Sequence, residues 1–206
     1  MLRAELHVHS TFSDGRDTVR ALLLSAVEKS INVISITDHD TVQGSLEAVD
    51  LVEEEGLPLQ VIPGVEVTTS SGHLLAYGIT KDVEPRMSMD ETCRVVRKLG
   101  GLCFLAHPFD VIRGGSVRLR DFRIVDGVEV FNSKSYFNFL AKRYARKFSK
   151  PGIAGSDAHS AKSVGMALTL LHENGLTSLL TASYEGRKTP IRERFAFLLF
   201  RLNQRL

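Results

Sequence analysis

Apolar residues along the 206-residue chain fall into two alternating patterns. Residues 4–9, 32–37, 59–67, 73–79, 102–107, 127–132 and 152–156 are short runs rich in Val, Ile, Leu and Phe. Such runs, bounded by turn-forming residues, predict strands. Between them, apolar residues recur every three or four positions, the spacing of a helix with one face on a core. Val19, Leu22, Leu23, Ala26 and Val27 make such a stripe in 17–30, and Val42, Leu46, Val49 and Val52 make one in 41–55 before Gly56. In 88–99 the stripe is Met89, Cys93, Val96 and Leu99; Ser88 and Glu91 are spaced as a capping box and Gly100 closes the helix. Residues 135–150 read as a basic helix ending at Pro151.

Seven strands with intervening helices predict one α/β domain, a closed or nearly closed TIM-like barrel, spanning 1–189. The short step from Val67 to His73 predicts a hairpin. A further strand at 166–171 and a short helix at 176–183 follow. In the tail, 190–206, Ile191, Phe195, Leu198, Leu199 and Leu202 form an apolar stripe, while Arg192, Arg194, Arg201 and Arg205 make the rest basic. The expectation is a last amphipathic helix packed on the barrel wall, with a homodimer contact or a membrane surface as alternative uses.

Composition narrows the partners. A hydrophobic share of 43% and a charged share of 24% are ordinary for a globular chain, and a net charge of +2 gives no basis for nucleic-acid binding through bulk charge. The two cysteines, Cys93 and Cys103, fit neither a metal spacing nor a disulfide framework. No apolar run reaches the ~20 residues that span a bilayer, and the first strand begins too early for a signal peptide. A cytoplasmic protein is expected.

Chemistry-bearing residues gather where the strands end. His7 and His9 are two apart on a strand, so both project from one side, with Asp14 in the turn beyond. The next strand breaks into Asp38-His39-Asp40; the third carries Glu66; the fourth opens at His73; the fifth ends at His107; the last runs into Asp157 and His159. Six of the seven histidines therefore sit at strand termini, with His172 the exception. In α/β barrels such termini converge on one mouth. His7, His9, Asp14, His39, Glu66, His73, His107, Asp157 and His159 make nine ligand groups. A catalytic ion takes about three or four protein ligands, so nine suit two or three divalent ions, and mixed imidazole and carboxylate points to Zn, Mn or Fe. Asp38 and Asp40 read as groups that orient the histidines or cap turns.

The motifs His-Val-His-Ser with Ser-Asp-Gly, Thr-Asp-His-Asp, Pro-Gly-Val-Glu-Val, His-Pro-Phe and Gly-Ser-Asp-Ala-His, in that order over about 3–165, resemble the PHP (polymerase and histidinol phosphatase) family. The resemblance implies a distorted (β/α)7 barrel with a trinuclear metal site. His7, His9, Glu66 and Asp157 would hold one ion, Glu66 would bridge to a second completed by His73 and His107, and Asp14, His39 and His159 would hold the third. It further implies a metal-dependent phosphoesterase of single-domain type, acting through a hydroxide bridging the first two ions near Glu66. The substrates implied are nucleotides, short oligonucleotides or another small phosphate ester, and Arg16, Arg113, Asn132, Lys134 and Lys162, in loops or at strand ends near the motifs, are then candidates for holding phosphate, with Arg113 first among them. The interval between the His73 and His107 strands holds one helix, so a large lid insertion is absent. A histidinol-phosphatase-like or sugar phosphatase, a metallo-amidohydrolase and a non-catalytic PHP module are the alternatives.

Overall fold

The computed structural model describes residues 1–190, so the expected tail helix, from Ile191 onward, lies outside the described residues. Ten strands form two five-stranded sheets. The first contains β1 (Leu2–Val8), β2 (Val33–Ile36), β3 (Gln60–Val61), β9 (Ala167–Leu171) and β10 (Ser183–Gly186) in the order β10-β9-β1-β2-β3. The second runs β4 (Gly64–Thr69), β5 (Gly72–Tyr77), β6 (Leu102–Leu105), β7 (Gly127–Asn132) and β8 (Gly152–Gly155) in chain order. Both sheets are mixed: β1–β2, β2–β3, β6–β7 and β7–β8 are parallel, whereas β1–β9, β9–β10, β4–β5 and β5–β6 are antiparallel.

This differs from the expected seven-stranded barrel, and Pro63 shows why. The run 59–67 reads as one strand, but proline has no N–H to give to a ladder. The run divides there: β3 pairs with β2 in the first sheet, while β4 pairs with β5 in the second. Among the described residues, isolated β-bridges link the two sheets from Val8 to Ala158 and from His39 to Glu66. Both bridges lie where the ligand-type residues gather. The hairpin expected between Val67 and His73 is the β4–β5 pair, with Thr68 opposite His73.

Helices α1 (Val19–Glu28) and α2 (Gln43–Glu54) cover the first sheet through Leu22, Leu23 and Ala48, in one cluster with Val8, Ile34 and Ile36. Helix α3 (Met89–Lys98) and the short α4 (Asp121–Ile124) bring Met89, Cys93, Val96 and Phe122 into a cluster with Val67, Leu74 and Leu105 of the second sheet. Helix α5 (Asn138–Lys147) adds Ala145 to it. A third cluster, Leu6, Val33, Leu75, Tyr77, Phe104, Ile153 and Leu171, combines residues of both sheets. The expected capping box on α3 is formed: Ser88 caps the Glu91 amide and the Glu91 carboxylate returns to the Ser88 amide. The expected helix at 176–183 is instead a 3-10 turn, Leu176–Leu180, followed by β10, whose Ser-Tyr-Glu-Gly sequence lacks the apolar run that marks a buried strand.

Two strands that lead into the ligand-rich end break register. One break lies in β1 between Glu5 and Val8, the other in β7 between Glu129 and Phe131. Such irregularities re-aim side chains out of strict alternation. Leu6 and Val8, two apart on β1, accordingly belong to different clusters.

Candidate metal centre

The strand ends bring all nine candidate ligands into one connected cluster around Glu66, which is 1% exposed. The bridge between His39 and Glu66 is built by backbone bonds from Glu66 N to Asp38 O (3.1 Å) and from Asp40 N to Glu66 O (3.0 Å), which fix the loop after β2 against β4. Glu66 Oε2 lies 3.2 Å from Nε2 of His7, 3.2 Å from Nε2 of His9 and 3.5 Å from Nδ1 of His39. Its other oxygen, Oε1, lies 3.2 Å from Nδ1 of His73 and 3.0 Å from Nε2 of His107. One carboxylate thus has three imidazoles on one oxygen and two on the other.

Farther along, Asp14 Oδ1 lies 3.2 Å from His159 Nε2, 3.6 Å from His9 Nδ1 and 3.9 Å from His39 Nε2. Asp157 Oδ1 lies 3.3 Å from His159 Nδ1 and 3.7 Å from His9 Nε2. Among the described residues, His7/His9/Glu66, His7/His107/Asp157, His9/Asp14/His39, His9/Asp157/His159 and His39/Glu66/His73 each present ligand atoms within 4.8 Å of one another.

The polar accounting fits cations. Both ring nitrogens of His9, Nδ1 of His73 and Nδ1 of His107 are buried without a hydrogen-bond partner, although carboxylate oxygens stand near. An unsatisfied buried polar atom costs roughly 1–3 kcal/mol, so several within one cluster need an explanation. Imidazole nitrogens left unpaired beside carboxylate oxygens form a mixed nitrogen and oxygen donor set of the kind that divalent ions take. His107 at φ +24 and Asp157 at φ +52 hold backbone conformations that non-glycine residues rarely adopt. Such strain is typical of positions where geometry serves a site.

Charge follows from burial and partners. Burial pushes His7 toward neutrality, but the carboxylates of Glu129 and Glu66 outweigh it and hold its pKa up at about 10. Burial also acts on His107, and there it prevails over Glu66, bringing the pKa down to about 4. For Glu66, burial is outweighed by His7, His73 and His39, which keep its carboxyl well below the usual range.

Of the residues expected to hold phosphate, Arg113 pairs with Asp157, lies 3.2 Å from Asn132 Oδ1 and 3.3 Å from Asp110 Oδ2. Lys134 Nζ lies 2.7 Å from His159 Nδ1 and 3.5 Å from Asp157 Oδ1. Asn132 differs from expectation: it is fully buried and its amide donates to Glu129 Oε2 and Asp157 Oδ2, each at 3.1 Å, so it serves the frame and not a ligand in the mouth. Arg16 reaches the cluster through its backbone, which donates to His159 O at 2.9 Å, and Lys162 is exposed on the 3-10 turn Ala161–Ser163. Asp38 accepts from Ser10 and Ser13, and Asp40 from the Thr68 amide at 2.6 Å.

Of the buried acids outside the motifs, two lie on strands that lead into the cluster. Glu5, on β1, accepts from Ser156 N (3.0 Å), from Ser156 Oγ and from Gly165 N (2.8 Å). Glu129, on β7, accepts from His7 Nδ1 at 2.9 Å and from His107 N at 2.8 Å. The sequence carries a signal for the second: Gly-Val-Glu-Val occurs at 64–67 and again at 127–130, and the two glutamates flank His7 on its two nitrogens.

The PHP domain family matches residues 5–98, and the PHP-associated family matches residues 135–187. An uncharacterized protein of Methanocaldococcus jannaschii is 32% identical over 144 residues, covering 64% of this chain and 82% of that protein. The 5'-3' exoribonuclease Rnm of Escherichia coli K12 is 45% identical over 65 residues, which is 32% of this chain but only 22% of the exoribonuclease. In fold, a two-domain Bacteroides vulgatus protein containing a predicted PHP-like metal-dependent phosphoesterase aligns with a TM-score of 0.75 at 20% identity. That alignment covers 90% of this chain and 65% of that one.

Proposed function

The chain belongs to the PHP family, and we propose that it is a metal-dependent phosphoesterase whose ions are held by His7, His9, Asp14, His39, Glu66, His73, His107, Asp157 and His159. The observation that carries this reading is the buried Glu66 carboxylate with histidines on both its oxygens. In that arrangement it suits a bridge between two ions, one on the His7/His9 side and one on the His73/His107 side. Asp14, His39 and His159 supply donors for a third. We read the two sheets, stitched at their mouth, as a distorted and incompletely paired barrel of the PHP type.

Divalent ions bound here would bring the pKa of a coordinated water toward ~7 and withdraw charge from phosphate oxygens. The protein's own groups supply the rest. The buried histidines give nitrogen donors, with His7 becoming one once an ion displaces the proton that Glu129 and Glu66 otherwise hold there, and the frame excludes bulk water from their far sides. Arg113 and Lys134 stand at Asp157 and His159, where their cationic groups can take phosphate oxygens that enter the mouth. Ser10 and Ser156, each next to a proposed ligand in the chain, are fully buried and bonded to Asp38 and Glu5, so neither is offered as a covalent nucleophile.

The substrate class is nucleotides or short oligonucleotides, or another small phosphate ester. Only α3 lies between β5 and β6, so no inserted lid closes the mouth from that side. Exposed Phe12, Ile112 and Tyr136 stand on the same loops as Asp14, Arg113 and Lys134, which suits a flat leaving group beside a phosphate. The activity of the exoribonuclease relative points the same way.

The test is a screen of nucleotides, short oligonucleotides and sugar phosphates with Mn added, alongside elemental analysis. His7→Ala and Glu66→Ala should abolish turnover in folded protein. Near-normal turnover in either, or wild-type protein that hydrolyses none of these esters with Mn or Zn, sinks the reading.

A further inference from the structure

Strand β7 contributes no ligand to the cluster, yet its Glu129 is completely buried beneath it. Its two oxygens are fully engaged. Oε1 accepts the Nδ1–H of His7 at 2.9 Å; Oε2 accepts the backbone N–H of His107 at 2.8 Å and an amide N–H of Asn132 at 3.1 Å. That same Asn132 amide nitrogen donates to Asp157 Oδ2 at 3.1 Å. A single carboxylate therefore touches two proposed ligands and reaches a third through one amide.

Resting on the proposed metal site, we infer that Glu129 is the positioning residue of the centre: it fixes the tautomer of His7, the backbone of His107 and, through Asn132, the carboxylate of Asp157. A neutral imidazole carries one N–H. With that proton on Nδ1 and given to Glu129, the lone pair of Nε2 is directed at the Glu66 side, the only orientation in which His7 can ligate. His107 sits at φ +24, a conformation that needs outside support, and the bond from its amide to Oε2 supplies it. The register break in β7 immediately after Glu129 lets the side chain reach inward. Residue 155 has no side chain to obstruct it: a Cβ there would come within 2.6 Å of Glu129 Oε1 and 2.5 Å of the His7 Cβ. Carboxylates behind metal-bound histidines orient the ring and raise its basicity.

Glu129→Gln keeps the volume and gives a direct test. An amide has one acceptor oxygen, so its NH2 must oppose either the His7 N–H or the donors from His107 and Asn132. The expected result is zinc and manganese binding weakened about tenfold to hundredfold in chelator competition, with circular dichroism unchanged. A second measurement does not depend on the Glu129 variant. In the zinc-loaded form, nitrogen-15 NMR should show His7 protonated at Nδ1, assigned by loss of the signal in His7→Gln. Zinc affinity in Glu129→Gln within twofold of wild type, or a zinc-loaded His7 protonated at Nε2, overturns the inference. Wild-type protein that binds neither zinc nor manganese overturns the metal-site reading itself.

Discussion

The ammonium of Lys134 lies 2.7 Å from Nδ1 of His159, and that same ring nitrogen lies 2.9 Å from the backbone carbonyl of Asp157. Burial, Lys134 and His9 hold the His159 pKa well below its usual range, so the ring is neutral and Nδ1 can satisfy only one of these neighbours. If Lys134 donates, the proton sits on Nε2, facing Asp14. If Nδ1 donates to the carbonyl, Nε2 presents a lone pair and the ammonium is released to other oxygens. Lys134→Met should therefore have opposite effects on two quantities. Metal affinity at the Asp14 and His159 end rises, while KM for a phosphate ester climbs about tenfold or more, the worth of one charge-assisted hydrogen bond. Unchanged KM in a variant that binds metal normally would remove Lys134 from the phosphate site.

Asp38 is a hub for the loop that carries Asp14. Fully buried, it accepts from Ser10 N (2.7 Å), Ser10 Oγ (2.6 Å) and Ser13 Oγ (2.6 Å). Asp38→Asn replaces one acceptor oxygen by a donor that faces a donor. It should destabilise the protein by about 1–3 kcal/mol in urea denaturation. It should also loosen Asp14 and lower bound metal selectively, with the Glu66-centred ions retained. Loss of all ions together in a folded variant would contradict that selectivity.

The capping box on α3 provides a contrasting case far from the chemistry. Ser88→Ala removes the bond to the Glu91 amide and should cost ~1 kcal/mol of stability. Turnover should not change, because α3 holds the outer face of the second sheet and supplies no residue to the cluster. A fall in turnover at a temperature where the variant is fully folded would show that α3 does more than pack.

The candidate ligands are legible in the sequence because histidine is rare and the positions are strand termini: His7, His9 and His107 stand out by residue type, and Glu66 and Asp157 by their place in or just after strands and by the family motifs around them. What supports them is not. Glu5 and Glu129 look like ordinary acids within strands. Only register breaks and burial reveal them as acceptors, and the duplicated Gly-Val-Glu-Val is the one local hint. Sheet pairing is likewise hidden. Periodicity locates strands but does not say which neighbours they choose, and the step at Pro63 moves the chain between sheets inside what reads as one run. Strand β10 is polar and lies at an edge, where burial no longer leaves a pattern to read.

Proton and metal should compete at His7. Its pKa is raised from the ordinary 6.5 to about 10 because Glu129 and Glu66 outweigh burial. An ion on Nε2 must displace that proton, so apparent metal affinity should rise with pH, by up to about tenfold per unit while His7 is the group losing a proton. His107, with its pKa brought down to about 4, stays neutral over the same range and adds no dependence. In metal-free protein the sign for stability is the reverse. A group whose folded pKa is raised contributes stability that is fully present below its unfolded value of 6.5 and is lost as pH rises through about 10. Chelator-treated protein should therefore melt at lower temperature as pH climbs through that window, while zinc-loaded protein gains over the metal-free form. Calorimetric titration of zinc in buffers of different ionisation enthalpy should show proton release on binding. Affinity independent of pH between about 7 and 9, with no proton released, would mean that His7 is neutral before the ion arrives and that its two carboxylate neighbours do not charge it.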